Sequence, residues 1–113
     1  MSGKLTTHVL DTAHGRPANG MKIRFYRGAK LVTEAVTNAD GRIDAPLLMG
    51  KDFSAGEYRI EFDVGGYFSA LGHSDAGKFL NIVPVVFHVD DPSRGYHVPL
   101  LVSPWAYSTY RGS

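Results

Sequence analysis

An all-β sandwich is the fold class this sequence predicts, and three features lead there. Seven or eight short strand-like segments are separated by clusters of Gly, Pro, Asn and Asp that read as turns. Several of these segments alternate apolar and polar residues with a period of two, the pattern of a strand buried on one face. Only the stretch after Asp63 breaks to a helical period. The 113 residues form one domain, 1–113, with no repeat, low-complexity segment or linker. A chain of this size buries roughly two-thirds of its unfolded surface, enough for a core without staples.

The segment Leu5 to Asp11 is rich in β-branched residues and reads as the first strand, with Leu5, Thr7 and Val9 on one face and Thr6, His8 and Leu10 on the other. Thr12 to Gly20 is a loop dense in turn formers. Met21 to Arg27 places Met21, Ile23 and Phe25 inward, Gly28 to Lys30 turns the chain, and Leu31 to Thr37 returns. Asn38 to Gly41 is a turn in which Asp-Gly supplies the left-handed position. Arg42 to Leu48 is predicted as a short strand, at an edge because of Pro46. After a loop from Gly50 to Gly56, Glu57 to Asp63 alternates with Tyr58, Ile60 and Phe62 inward.

Val64, Tyr67, Phe68 and Leu71 then follow a helical spacing, which predicts one or two turns of helix despite Gly65 and Gly66. Gly72 to Lys78 is a polar loop. Ile82 to Asp90 is a strand with Val85, Phe87 and Val89 on one face, and Asp91 to Gly95 is a turn. Tyr96 to Val102 and Ala106 to Arg111 form the last pair, broken at Ser103-Pro104. The final residues include Tyr, Thr, Tyr and Arg, so this end of the chain is expected to be docked and its polar groups used, the Ser113 carboxylate among them.

Composition excludes several classes of function. A net charge of +1 gives no electrostatic case for nucleic acid or an anionic membrane. The absence of cysteine removes disulfides and thiol catalysis and suits a reducing compartment. No apolar run approaches the ~18 residues of a membrane span. The first residues lack the basic and apolar regions of a secretory signal. A cytoplasmic location is therefore expected. The histidines show no local metal-ligand spacing, and no nucleophile elbow, phosphate loop or carboxylate pair is present, so neither metal nor cofactor is expected.

What remains is a set of ionisable groups. His8, on a strand face with Thr6, His97 in the last third of the chain, and Arg42 after the Asp-Gly turn could each be an ordinary solvent-facing residue. Together they suit another task. An imidazole can take a proton from water near neutrality. A fixed guanidinium can stabilise a developing oxyanion. That combination fits hydrolysis of a polarised carbonyl without a covalent nucleophile. His14, His73 and His88 read as structural or solvated.

Three stretches also carry a family likeness: Leu5-Thr-Thr-His-Val-Leu-Asp-Thr-Ala-His-Gly-Arg-Pro-Ala18, Thr37-Asn-Ala-Asp-Gly-Arg42, and Tyr96-His-Val-Pro-Leu-Leu-Val-Ser-Pro with Tyr107-Ser-Thr-Tyr-Arg-Gly-Ser113. They resemble the 5-hydroxyisourate hydrolases, the transthyretin-related enzymes of urate breakdown, and the likeness runs essentially end to end. The final Tyr-Arg-Gly-Ser is its most specific part. Transthyretin itself shares the fold but lacks that ending and the His/Arg/His set.

The resemblance implies a transthyretin-like sandwich of two four-stranded sheets with one short helix. It implies a homotetramer, a dimer of dimers, with active sites in clefts where dimers meet. It implies His8, Arg42 and His97 as catalytic residues, and Thr109, Tyr110, Arg111, Gly112 and Ser113 as the segment that binds a small purine-derived substrate. The activity implied is metal-free hydrolysis of 5-hydroxyisourate. A transthyretin-like carrier without catalysis is the rival reading, because fold does not fix function; a purely structural sandwich leaves the ionisable set unexplained.

Overall fold

Strand pairing sorts the alternating segments into two sheets whose inner faces share one core. In the computed structural model, which describes residues 3–112, the elements in order are β1 (Lys4–Asp11), β2 (Arg16–Pro17), β3 (Lys22–Arg27), β4 (Lys30–Val36), β5 (Leu48–Met49), β6 (Gly56–Asp63), α1 (Val64–Ala70), β7 (Ile82–Val89), β8 (Tyr96–Val102) and β9 (Tyr107–Thr109). One sheet runs β4-β3-β6-β7; the other runs β2-β1-β8-β9, with the two-residue β5 added against β1. The predicted sandwich and its helix are present, and the extra strand is a small addition to the expected count of four per sheet.

The period-two readings hold where they matter. Leu5 and Val9 of β1, Ile23 and Phe25 of β3, Ile60 and Phe62 of β6, and Leu100 of β8 are all at or near zero exposure. Burying each such side chain contributes about 1.5–3 kcal/mol. Two threonines on the inner side are satisfied by hydrogen bonds: Thr7 donates to the Val98 carbonyl at 2.7 Å, and Thr37 donates to the Ala18 carbonyl at 2.6 Å while accepting from the Met21 amide at 2.9 Å. Among the described residues, no buried side-chain polar atom lacks a partner, as expected when desolvation must be offset.

The glycines that argue against a helix after Asp63 turn out to help it. Asp63 caps α1 by accepting from the Gly66 amide at 3.0 Å, and a Cβ at Gly66 would crowd that carboxylate. A Cβ at Gly65 would run into Asn81, whose carbonyl accepts the Val64 and Gly65 amides. The helix ends at Ala70, so Leu71 lies past it and is exposed rather than inward.

The predicted strand over Arg42 to Leu48 is the main correction. Arg42 makes one antiparallel bridge to His8, Leu48–Met49 pairs with Lys4 and Leu5, and the residues between belong to no strand. Pro46 has no amide hydrogen to give a ladder, and Asp44 is engaged by the Asn38 side chain at 3.0 Å. Two smaller differences follow: the loop after Asp11 contributes the short β2, and the last strand covers Tyr107–Thr109 rather than Ala106 to Arg111.

Candidate active site

The site begins with a register. β1 and β8 pair in parallel, which sets Thr6 opposite His97 and His8 opposite Pro99. The inward positions of both strands fill the core, so Thr6, His8 and His97 share the outer face. The His8 and His97 rings lie 6.3 Å apart, centre to centre, with an angle of 37° between their planes.

The Asn38–Gly41 turn brings Arg42 to this face. The Val9 amide donates to the Gly41 carbonyl at 2.7 Å, and the Asn38 amide donates to the Arg42 carbonyl at 2.7 Å. The Asn38 side-chain oxygen accepts from the Asp40 and Arg42 amides at 2.9 and 3.2 Å. Gly41 has φ +74°, and a Cβ there would strike the Val9 carbonyl; only glycine fits so close to the strand. The same turn fixes His8, whose Nε2–H donates to the Asp40 carbonyl at 2.9 Å. A carbonyl can only accept, so the proton sits on Nε2 and the basic lone pair of neutral His8 on Nδ1.

Where the chain leaves β1 between Arg42 and Leu47, a cleft of about 670 Å³ opens, lined by Lys4, Thr6, Arg42, Asp44, His97 and Tyr110 among others. Gly112 forms one wall. Its amide donates to the His97 carbonyl at 2.7 Å, and its bare Cα faces the imidazole. The Nδ1 of His97 is 2.8 Å from the Thr6 hydroxyl. Burial, then the Arg42 charge, then His8 hold the His97 pKa below the usual 6.5, so this ring is neutral at neutral pH.

The structure therefore gathers Arg42, His97, Tyr110 and Gly112 about one cleft, with His8 beside it, bridged to Arg42 and 6.3 Å from the His97 ring. It places Thr109 and Arg111 elsewhere. Thr109 donates its hydroxyl proton to the Pro99 carbonyl at 2.7 Å. The Arg111 guanidinium lies 4.2 Å over the Tyr96 ring and donates to the Gly95 carbonyl at 3.1 Å. Both border a second, more apolar cleft of about 220 Å³ that Tyr110 also reaches. Ser113, expected to supply a carboxylate, lies outside the described residues.

Sequence reasoning passed over Thr6 and Lys4, although both share His8's parity on β1, a signal that was there to use. It had no means of finding Asn38 and Asp44, whose roles arise from the fold of the turn. The other histidines are structural or peripheral. His14 donates to the buried Asp11 carboxylate at 2.7 Å, His73 accepts from the Asp75 amide at 3.1 Å and packs edge-on against Phe68, and His88 is exposed on β7.

Comparison with known proteins agrees with this fold. The family model described as HIUase/Transthyretin family matches residues 5–112. A 5-hydroxyisourate hydrolase of Halalkalibacterium halodurans is 50% identical over 119 residues, covering 100% of both chains. The solved structure of Klebsiella pneumoniae 5-hydroxyisourate hydrolase superposes with a TM-score of 0.84 at 32% identity, over 98% of this chain and 94% of that one. A crystal structure of (S)-allantoin synthase gives a TM-score of 0.94 at 48% identity, over 99% of this chain but 44% of the other.

Proposed function

The chain belongs to the HIUase/Transthyretin family, and on that premise we propose that it hydrolyses 5-hydroxyisourate to 2-oxo-4-hydroxy-4-carboxy-5-ureidoimidazoline. The observation that carries this reading is that Arg42 and His97 line one cleft while His8 adjoins both, bridged to Arg42 with its ring 6.3 Å from that of His97. Water adds to the ring carbonyl beside N1, a tetrahedral oxyanion forms, and the C–N bond breaks as the ring nitrogen takes a proton. His97, neutral and facing the cleft, accepts the proton from water; His8 orients it. Arg42 stabilises the oxyanion and polarises the carbonyl, an interaction worth more in a sheltered cleft than in bulk water. Tyr110 and Gly112 wall the space in which the purine-derived ring lies.

Assembly as a homotetramer, a dimer of dimers with the clefts at the dimer contact, is part of the same proposal. The exposed apolar side chains Val86 and Tyr110, which border the second cleft together, support it, since large apolar groups clustered on a surface favour association; light scattering at several concentrations tests it. No helix among the described residues is long and apolar enough to cross a membrane. A cytoplasmic location completes the proposal, supported by the absence of cysteine and checked by fractionation.

The deciding experiment generates 5-hydroxyisourate in the cuvette from urate with urate oxidase and follows its ultraviolet absorbance. Saturable acceleration is expected, lost on deletion of residues 110–113 in a variant that keeps its far-ultraviolet circular dichroism. A folded tetramer that binds aromatic ligands but leaves the decay rate unchanged would establish a carrier instead.

A further inference from the structure

We infer that Thr6 is a positioning residue: its hydroxyl accepts the Nδ1–H of His97 and so keeps the basic lone pair on Nε2, turned toward the cleft. The inference rests on the hydrolytic reading for its kinetic consequence, but its structural content stands apart from it.

Four observations lead to it. The parallel register makes Thr6 the direct neighbour of His97, although the two are 91 residues apart in sequence. The separation of Thr6 Oγ1 from Nδ1 is 2.8 Å, a full hydrogen bond. Both residues line the cleft, and His97 Nε2 has no protein hydrogen-bond partner among the described residues. Finally, Gly112 lies beside the Cδ2 edge of the ring, where a Cβ would stand 2.7 Å from Cδ2.

A hydroxyl both donates and accepts, so geometry alone allows either tautomer. Charge decides between them. Arg42 lines the same cleft and is close enough to act on His97. A guanidinium favours the electron-rich nitrogen pointing into the space it occupies and disfavours an N–H there. The proton therefore belongs on Nδ1, where Thr6 receives it. Free imidazole side chains in water prefer the opposite tautomer, so the protein must hold this one in place. When Nε2 takes a proton from water, the Nδ1–H bond to Thr6 is already made, and the imidazolium forms without reorganising its partner. Thr6 then has its own hydroxyl proton free for a group in the cleft.

The test uses the full chain and the variants Thr6→Val and Thr6→Ser. Valine keeps the β-branched shape that β1 needs and removes only the hydroxyl. Two-bond ¹H–¹⁵N spectra of histidine-labelled protein above the His97 titration report which ring nitrogen carries the proton. The expected result is Nδ1–H for His97 in the parent and Thr6→Ser, and Nε2–H in Thr6→Val. In the ultraviolet assay kcat should fall at least tenfold in Thr6→Val, with KM changed less than threefold, and recover in Thr6→Ser. An Nε2–H tautomer in the parent overturns the inference, as does a parent-like spectrum or kcat in Thr6→Val. If the tautomer results hold but no variant or parent accelerates hydrolysis, the functional reading fails and the assignment of Thr6 survives.

Discussion

Gly112 lies against the imidazole of His97. Its amide donates to the His97 carbonyl at 2.7 Å, and a Cβ at this position would stand 2.7 Å from His97 Cδ2. The backbone of Gly112 is not left-handed, so alanine meets no φ penalty there and its whole effect falls on the ring. Gly112→Ala is expected to displace the imidazole and lower kcat by about 10²-fold, the order of loss that a small misplacement of a reacting group produces. The urea midpoint should change little. Parent-like kcat would show that the ring's position is not used.

Removing either imidazole tests the assignment of roles. His97→Asn and His8→Asn are each expected to lower kcat by about 10²–10⁴-fold, the usual contribution of general acid–base groups, with the assembly unchanged by light scattering. The larger loss belongs to His97, which lines the cleft while His8 is tied to the Asp40 carbonyl. Equal or reversed losses would move the base to His8.

The pH dependence of kcat/KM has a predicted direction. Burial, then Arg42, then His8 lower the His97 pKa from 6.5, so its neutral form persists through neutrality. Activity should be level near pH 7 and fall only as pH drops through the depressed value. Folding stability follows the same sign. Below 6.5 the unfolded chain takes up a proton before the folded one does, so this group subtracts stability as pH falls toward its folded pKa. Arg42→Gln should move the acid limb upward; a parent limb centred above 6.5 contradicts burial and the Arg42 charge as the controlling influences.

Away from the cleft, Asp11 offers a stability test without a catalytic one. Its buried carboxylate accepts from the Tyr67 hydroxyl at 2.7 Å and from His14 at 2.7 Å. Burial pushes the Asp11 pKa up, but these hydrogen bonds outweigh it and hold the group below 3.8; Tyr67, through burial and then Asp11, is raised to about 12. Asp11 therefore stabilises the fold above its unfolded pKa and loses that as pH falls, whereas Tyr67 stabilises it below 10 and loses that as pH rises toward about 12. Tyr67→Phe should cost about 1.5–3 kcal/mol in urea unfolding, flatten the alkaline loss and leave kcat unaltered.

Much of this molecule was legible in the sequence because burial writes a period. Leu5, Val9, Ile23, Phe25, Ile60 and Phe62 announce their faces, and the parity of β1 alone separates His8 from the core. The segment from Arg42 to Leu48 was misread because its composition resembles a strand while Pro46 and Asp44 deny it a ladder. Arg111 entered the candidate site through the family likeness of the ending, and Thr109 as a hydrogen-bond donor on the same segment. Alternation along the chain turns them toward the Pro99 and Gly95 carbonyls instead, and an irregular tail does not advertise which of its neighbours face which way. The hydrogen-bonded net around Asn38 depends on turn geometry that no spacing rule encodes.

The parallel pairing of β1 with β8 has a bearing on when activity can appear. Such a pair cannot be closed by a hairpin and must wait for the intervening chain. Thr6 and His97, 91 residues apart, meet only after both sheets have a core to dock on. Topologies built from distant contacts fold on the millisecond-to-second scale rather than in microseconds. On a ribosome the imidazole of His97 would find its hydroxyl partner only after the segment ending at Gly112 had cleared the exit tunnel. The candidate pocket is then among the last features to mature, and its assembly reports that both sheets have formed.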